Sequence, residues 1–187
     1  LRARHGLGDR LVVLTVAAKR PHKNLPRLLE AMAQIPPERR PLLVAPGYGT
    51  FHDDALTARV ARLGIADDVR LLGWVSDAEL EGLYALAALF VLPSLYEGFG
   101  LPVLEAMARG VPVACSDRGS LREVAGSAAL VFDPEQPDDI ARAIAHVLAD
   151  PSEADRLRAA GREQAARFTW ERSAQLTLDA YRRALTG

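Results

Sequence analysis

The feature that most restricts this chain is an alternation of short runs, apolar on both faces, with longer segments whose apolar residues recur at helical spacing. Leu11-Val12-Val13-Leu14-Thr15-Val16 has no polar face, the pattern of a strand covered from both sides. Comparable runs occupy Pro41 to Ala45, Val69 to Leu72, Leu89 to Leu92, Val111 to Cys115 and Ala128 to Phe132. Between them, Leu25, Leu28, Leu29 and Met32 follow the spacing of one helix face. Ser76-Asp77-Ala78-Glu79 forms a capping-box pattern ahead of Leu80, Leu83, Tyr84 and Leu86, and Gly110 stands where a helix from Pro102 to Arg109 should stop. Such alternation predicts an α/β chain: a Rossmann-like, doubly wound parallel sheet of about six strands. The last third changes character. Pro137 to Leu148, Ser152 to Phe168 and Thr169 to Leu185 read as successive helices, a C-terminal helical tail with Ser152 and Thr169 as N-caps.

Composition narrows the possible functions. The 187 residues, 49% of them apolar, suit one domain over 1–187 that needs no disulfide or metal to fold. With 23 basic against 24 acidic side chains and a net charge of -1, the electrostatic footprint of a nucleic-acid partner is missing. No apolar run reaches the ~20 residues of a membrane span. Leu1 to His5 is charged and leads to Asp9-Arg10 without an apolar stretch, so it does not read as a secretory leader. The single cysteine, Cys115, excludes a disulfide framework within the chain and reads as a buried, inert thiol. His5, His52 and His146 share no ligand-like spacing and read as surface residues, so no metal site is expected.

In an open parallel sheet, ligands collect beyond the carboxyl ends of the strands. The segments following the runs are Lys19-Arg20-Pro21-His22-Lys23-Asn24, Pro46-Gly47-Tyr48-Gly49, Gly73-Trp74-Val75, Pro93 to Pro102, and Cys115 to Ser120. The fourth is the most informative. Gly98 and Gly100 let the backbone turn tightly and approach a ligand, and Pro102 suits the first turn of a helix. A glycine-rich turn that opens a helix offers free N–H groups and the positive end of a dipole to a phosphate. Glu97 and Glu105 flank this turn. Carboxylates repel phosphate but accept hydrogen bonds, so a two-oxygen grip on vicinal sugar hydroxyls suits them better. Phosphate and hydroxyls together describe a nucleotide sugar. Each feature also has an ordinary reading: glycines shaping a turn, Lys23 as a solvated cation, His22 solvated or bonded to backbone, Trp74 and Trp170 as packing residues.

The stretch Glu97-Gly98-Phe99-Gly100-Leu101-Pro102-Val103-Leu104-Glu105-Ala106 resembles glycosyltransferase family 4 (group 1), whose signature is two glutamates separated by seven residues around a Gly-aromatic-Gly turn. The resemblance extends to Pro21-His22-Lys23-Asn24-Leu25, to Gly47 and Gly49, to Leu72-Gly73-Trp74-Val75, to Ser116 through Ser120 with Glu123, to Asp133-Pro134, and to Trp170-Glu171 with Tyr181. These are retaining enzymes of GT-B fold that use nucleotide-diphosphate sugars. The resemblance implies that Lys23 contacts the donor pyrophosphate, and that Gly98, Phe99, Gly100 and Leu101 offer backbone N–H groups at the helix start. By the same resemblance, Glu97 holds sugar hydroxyls, Glu105 holds the ribose, and Gly73, Trp74, Val75 and Gly47 line the nucleotide. Many members carry another basic residue five positions before the lysine. Here that position is Ala18, with Lys19 and Arg20 as candidate replacements.

The resemblance further implies the C-terminal, donor-binding half of a GT-B enzyme, with the N-terminal acceptor domain absent and no sugar transfer by this half alone. It implies a GDP- or UDP-sugar donor (GDP-mannose for the mannosyltransferase-like members), no required cofactor or metal, a glycan or lipid acceptor, and no nucleic acid. A cytoplasmic location is expected, with peripheral attachment at the inner face of the membrane left open. Two alternatives stand beside it: another GT-B enzyme such as a sugar-nucleotide epimerase, and a non-enzymatic nucleotide-binding module.

Overall fold

The computed structural model describes residues 1–49 and 53–186. Six strands form one parallel sheet: β1 (Val12–Leu14), β2 (Leu42–Ala45), β3 (Val69–Leu71), β4 (Ala87–Leu92), β5 (Val113–Ser116) and β6 (Leu130–Phe132). Their order is β3-β2-β1-β4-β5-β6, the doubly wound arrangement, with the chain reversing its direction of growth between β1 and β4. Every strand coincides with one of the apolar runs. Val13 lies beside Leu43 on one side and Leu89 on the other, so the middle of the sheet is a ladder of branched aliphatic side chains.

The helices divide between the two faces as the pleat requires. On one face, α1 (Leu25–Gln34) and α6 (Pro137–Ala149) pack on Val13, Leu43, Leu89 and Val91, with α2 (Asp53–Arg62) alongside. Successive strand residues point to opposite faces. Val12, Leu14, Val44, Phe90 and Leu92 therefore meet the other layer: α3 (Asp77–Leu86), α4 (Leu101–Ala108) and α5 (Leu121–Ala125). Leu25, Leu28, Leu29 and Met32 are all buried, as their spacing predicts. Each such side chain contributes about 1.5–3 kcal/mol through burial. Cys115 is buried in β5, and that burial pushes its thiol up to about 12, as expected of an inert cysteine.

Local signals mostly hold. Ser76 and Glu79 make the reciprocal capping box that starts α3, and Thr169 caps α8 (Trp170–Thr186) by accepting from the Arg172 N–H at 3.1 Å. Ser152 does not cap α7 (Pro151–Ala165). Asp150 does, accepting from the N–H groups of Ser152 and Glu153, because Pro151 already occupies the first helical position. His5 is not a surface residue either: it tucks beside Glu79 with Nε2 buried and 3.6 Å from the carboxylate. His52 lies outside the described residues. Among the described residues the terminal helix α8 buries none, and Leu176, Leu178, Tyr181 and Leu185 are exposed along it.

At the opposite end of the sheet from the glycine-rich turn, Asp68 joins three segments. It accepts from Arg10 at 2.7 Å and Arg40 at 2.8 Å, while Arg40 also donates to the carbonyls of Ala33 and Ile35. Burial alone would raise the Asp68 carboxyl, but the two guanidiniums outweigh it and hold the group below its ordinary 3.8. A carboxylate with a depressed native pKa stabilises the fold above its unfolded value and loses that contribution as pH falls through the native one. We expect Asp68→Asn to cost about 1–3 kcal/mol at neutral pH. In urea melts, the gap from the parent should close as pH falls through and below the ordinary carboxylate value of 3.8. A gap independent of pH would assign the loss to packing rather than charge.

Candidate functional site

The loops after β1, β4 and β6 meet at one side chain. Asn24 is buried, and its amide donates to the carbonyls of Pro93 at 3.0 Å and Pro134 at 2.7 Å, while its own oxygen accepts from Arg27. Asn24 is also the one non-glycine residue with positive φ (57°) among the described residues. It ends the short turn Pro21–Lys23 and starts α1. A backbone bond from Leu95 N–H to the His22 carbonyl, 2.8 Å, completes the stitching of the first loop to the fourth.

This arrangement holds Lys23 against Glu97. Lys23 Nζ donates to Glu97 Oε1 at 2.6 Å, and the buried Ser94 hydroxyl donates to the same oxygen at 2.6 Å. A lysine at a helix start is electrostatically misplaced, and here a carboxylate from across the crevice offsets it without any phosphate. Glu97 Oε2 has no partner among the described residues. The expectation of a grip by both oxygens is therefore revised: Glu97 presents one.

Behind Glu97, the loop after β5 acts as a backstop. Ser120 Oγ lies 3.0 Å from the Glu97 carbonyl and 2.8 Å from that of Phe99. Gly119 adopts φ 58°, and a Cβ there would stand 3.0 Å from the Glu97 carbonyl oxygen. Gly100, with φ 104°, then opens α4 without a side-chain cap, and Pro sits in the first turn as expected. Among the described residues, no acceptor meets the N–H of Gly98, Phe99, Gly100 or Leu101. Four consecutive donors at a helix N-terminus make an anion site.

Glu105 stands apart from the Lys23–Glu97 pair, on the α3 side of α4. It accepts from the Tyr84 hydroxyl at 3.1 Å. Burial and the Glu105 carboxylate raise the Tyr84 phenol well above its ordinary range, so it remains a donor at neutral pH. Arg109 covers the Tyr84 ring at 4.7 Å and pairs with Glu81. Glu105 opens onto a groove of about 290 Å³ whose walls include Phe99, Leu101, Arg109, Phe168 and Trp170.

The loop after β3 joins the same edge, because Gly47 N–H donates to the Gly73 carbonyl at 3.1 Å. Gly47 has a packing reason to be glycine: a Cβ would collide with the Ala17 carbonyl. Gly73 and Gly98 have none. Neither has positive φ, and a Cβ at either meets no atom within 4 Å. Trp74 beside Gly73 is 64% exposed and Trp170 is 83% exposed, so neither is the packing residue its apolar character suggests. Val75 instead packs partly buried against the core. Lys19 and Arg20 precede Lys23 in the loop after β1. Both line a cavity of about 240 Å³ between α1 and α2, where Lys19 is buried and pairs with Asp53 at 2.8 Å. Among the described residues no cluster of His, Cys, Asp and Glu could hold a metal.

Residues 1–164 match the family model described as glycosyl transferases group 1. The chain belongs to the group 1 glycosyltransferases. It is 44% identical to the O-antigen chain mannosyltransferase B of Escherichia coli, over 90% of this chain and 45% of that protein. It is 38% identical to a D-inositol 3-phosphate glycosyltransferase of Nocardioides sp., over 98% of this chain and 44% of that protein. Among solved structures it is similar to the sucrose-phosphate synthase of Thermosynechococcus elongatus, with TM-score 0.85, 32% identity and coverage of 99% of this chain and 48% of that one. It is also similar to HepE of Anabaena in complex with UDP and glucose, with TM-score 0.80, 25% identity and coverage of 89% and 46%. The chain thus spans a little under half the length of these relatives, and its fold is one Rossmann-like half of a GT-B glycosyltransferase.

Motif reading places Asn24, Ser94 and Ser120 in the segments around this group 1 site and Tyr84 on a helix face, but gives none of them a role. Asn24 is the most testable. Asn24→Ala leaves two buried carbonyls without donors and forces a Cβ-bearing residue lacking the amide into left-handed backbone, a combined cost of about 2–4 kcal/mol. Asn24→Gly should recover about 1 kcal/mol by relieving the backbone alone. Chemical denaturation of the three proteins checks this; equal stability of all three would contradict the clamp.

Proposed function

We propose that this chain is the donor-binding domain of a retaining glycosyltransferase, holding a nucleotide sugar at the crevice between β1 and β4 for transfer of its hexose to a glycan or lipid acceptor. One observation carries the reading. A cation and a carboxylate, Lys23 and Glu97, are held together where the glycine-rich turn enters α4, and the N–H groups of Gly98, Phe99, Gly100 and Leu101 have no acceptor among the described residues. Gly73 and Gly98 support it, since what a side chain at either would obstruct is not the protein itself.

In this reading the diphosphate lies on the α4 N-terminus and takes the remaining protons of Lys23 Nζ, which has three to donate. Breaking the bond from sugar to phosphate builds negative charge on the departing diphosphate. Fixed donors already aimed at that charge lower the barrier by preorganisation, and they take the part a metal plays elsewhere. Glu97 holds a sugar hydroxyl through Oε2 and is not the nucleophile. The acceptor attacks from the face the diphosphate leaves, with the phosphate taking its proton. Glu105, oriented by Tyr84, accepts from the ribose hydroxyls, while the Gly73–Val75 turn and Gly47 border the nucleoside. Acceptor groups belong to a second domain, so this domain alone binds donor without transferring sugar. The donor is GDP-mannose or a UDP-sugar: the O-antigen relative is by name a mannosyltransferase, and the Anabaena structure contains UDP and glucose.

Calorimetry with GDP, UDP and ADP should give saturable binding of at least one. Glu105→Ala should weaken that nucleotide about tenfold. Lys23→Ala should weaken the diphosphate by at least as much while leaving the bare nucleoside unaffected. Absence of binding to all three diphosphates would refute the proposal, and unchanged affinity in both variants would refute the residue assignment.

A further inference from the structure

We propose that Ser94 is a positioning residue for the transferred sugar: it turns Glu97 so that one carboxylate oxygen, Oε2, meets the sugar hydroxyls. The inference rests on the donor-binding reading and adds to it the residue that sets the sugar contact.

Glu97 Oε1 accepts from Lys23 and from Ser94, each at 2.6 Å, which occupies both lone-pair directions of that oxygen. These distances are those of charge-assisted hydrogen bonds. The two donors approach from different loops, Lys23 after β1 and Ser94 after β4. With both in place, rotation that would exchange the two oxygens breaks two bonds at once. Lys23 alone leaves that rotation cheap, because an ammonium ion can follow either oxygen. Ser94 is fully buried at the end of β4, and its hydroxyl has the one proton already committed to Glu97. It therefore touches no ligand and acts only through the carboxylate. Oε2 is left accessible, without a partner in the described residues and not among the buried unsatisfied atoms. Its two lone pairs can accept from hydroxyls on adjacent sugar carbons, while Nζ keeps two protons for phosphate. The device separates the tasks of a crowded corner: phosphate to Lys23, hydroxyls to one face of Glu97.

The separation gives a readout that a purely structural serine would not move. The quantity is the ratio of affinities for a nucleotide sugar and its own diphosphate, measured by calorimetry for GDP-mannose with GDP and for UDP-glucose with UDP. Ser94→Ala should lower that ratio about tenfold for the pair the parent binds, with affinity for the diphosphate held within about twofold. Ser94→Cys, of similar volume and with a weaker donor, should fall between the two. An unchanged ratio in Ser94→Ala overturns the inference. Loss of diphosphate binding in both variants also overturns it, since the serine would then serve folding. A parent that binds ADP alone is tested in the same way with ADP-glucose and ADP; if the parent binds none of GDP, UDP and ADP, the donor-binding reading itself fails, an outcome separate from the other two.

Discussion

The site depends on a single buried amide. Asn24 hydrogen-bonds the carbonyls of Pro93 and Pro134, where the loops after β4 and β6 begin, from a left-handed position at the start of α1. Strand order alone places β1 beside β4, but adjacency of strands does not fix the loops above them. The Asn24 clamp does so, and it decides where Lys23 stands relative to Glu97. Because the clamp is satisfied within the protein, the crevice is shaped before any ligand arrives. Binding then costs less ordering entropy.

The electrostatics follow the same economy. A partly buried lysine and glutamate together form a dipole rather than a net charge, and each offsets the desolvation of the other. An anion approaching α4 meets the lysine and four N–H groups without partners among the described residues, while the carboxylate is turned by two donors on one oxygen. The second glutamate is kept out of this corner by its bond to Tyr84 on α3. Two carboxylates thus coexist around one anion site because each is committed to a different neighbour.

Much of the fold is readable in the sequence because burial on both faces leaves a strand no polar side. All six apolar runs became strands for this reason. Their order could not be read, since it depends on pairings such as Val13 with Leu89 that no local pattern encodes. Nor were α2 and α5 evident as elements: α2 buries only Leu56 and Val60, and α5 has five residues. The site divides the same way. Lys23, Glu97 and the glycine turn sit in short motifs with a local physical rationale. Asn24 bonds carbonyls 69 and 110 residues away, and Tyr84 meets a carboxylate 21 residues on. Such partners are invisible to spacing. Trp74 misled in the opposite direction, since large apolar side chains usually pack, and here it stands out in solvent.

The central claim is that an anionic ligand docks where the glycine-rich turn enters α4, facing the Lys23–Glu97 pair. The most direct measurement is a backbone amide NMR titration with the nucleoside diphosphate that binds. The account predicts that the largest shifts fall on the amides of Gly98, Phe99, Gly100 and Leu101, with Lys23 and Gly73 next. Shifts that spare these amides and gather instead around Leu11, Ile35 and Leu148, at the cavity near the opposite end of the sheet, would contradict it.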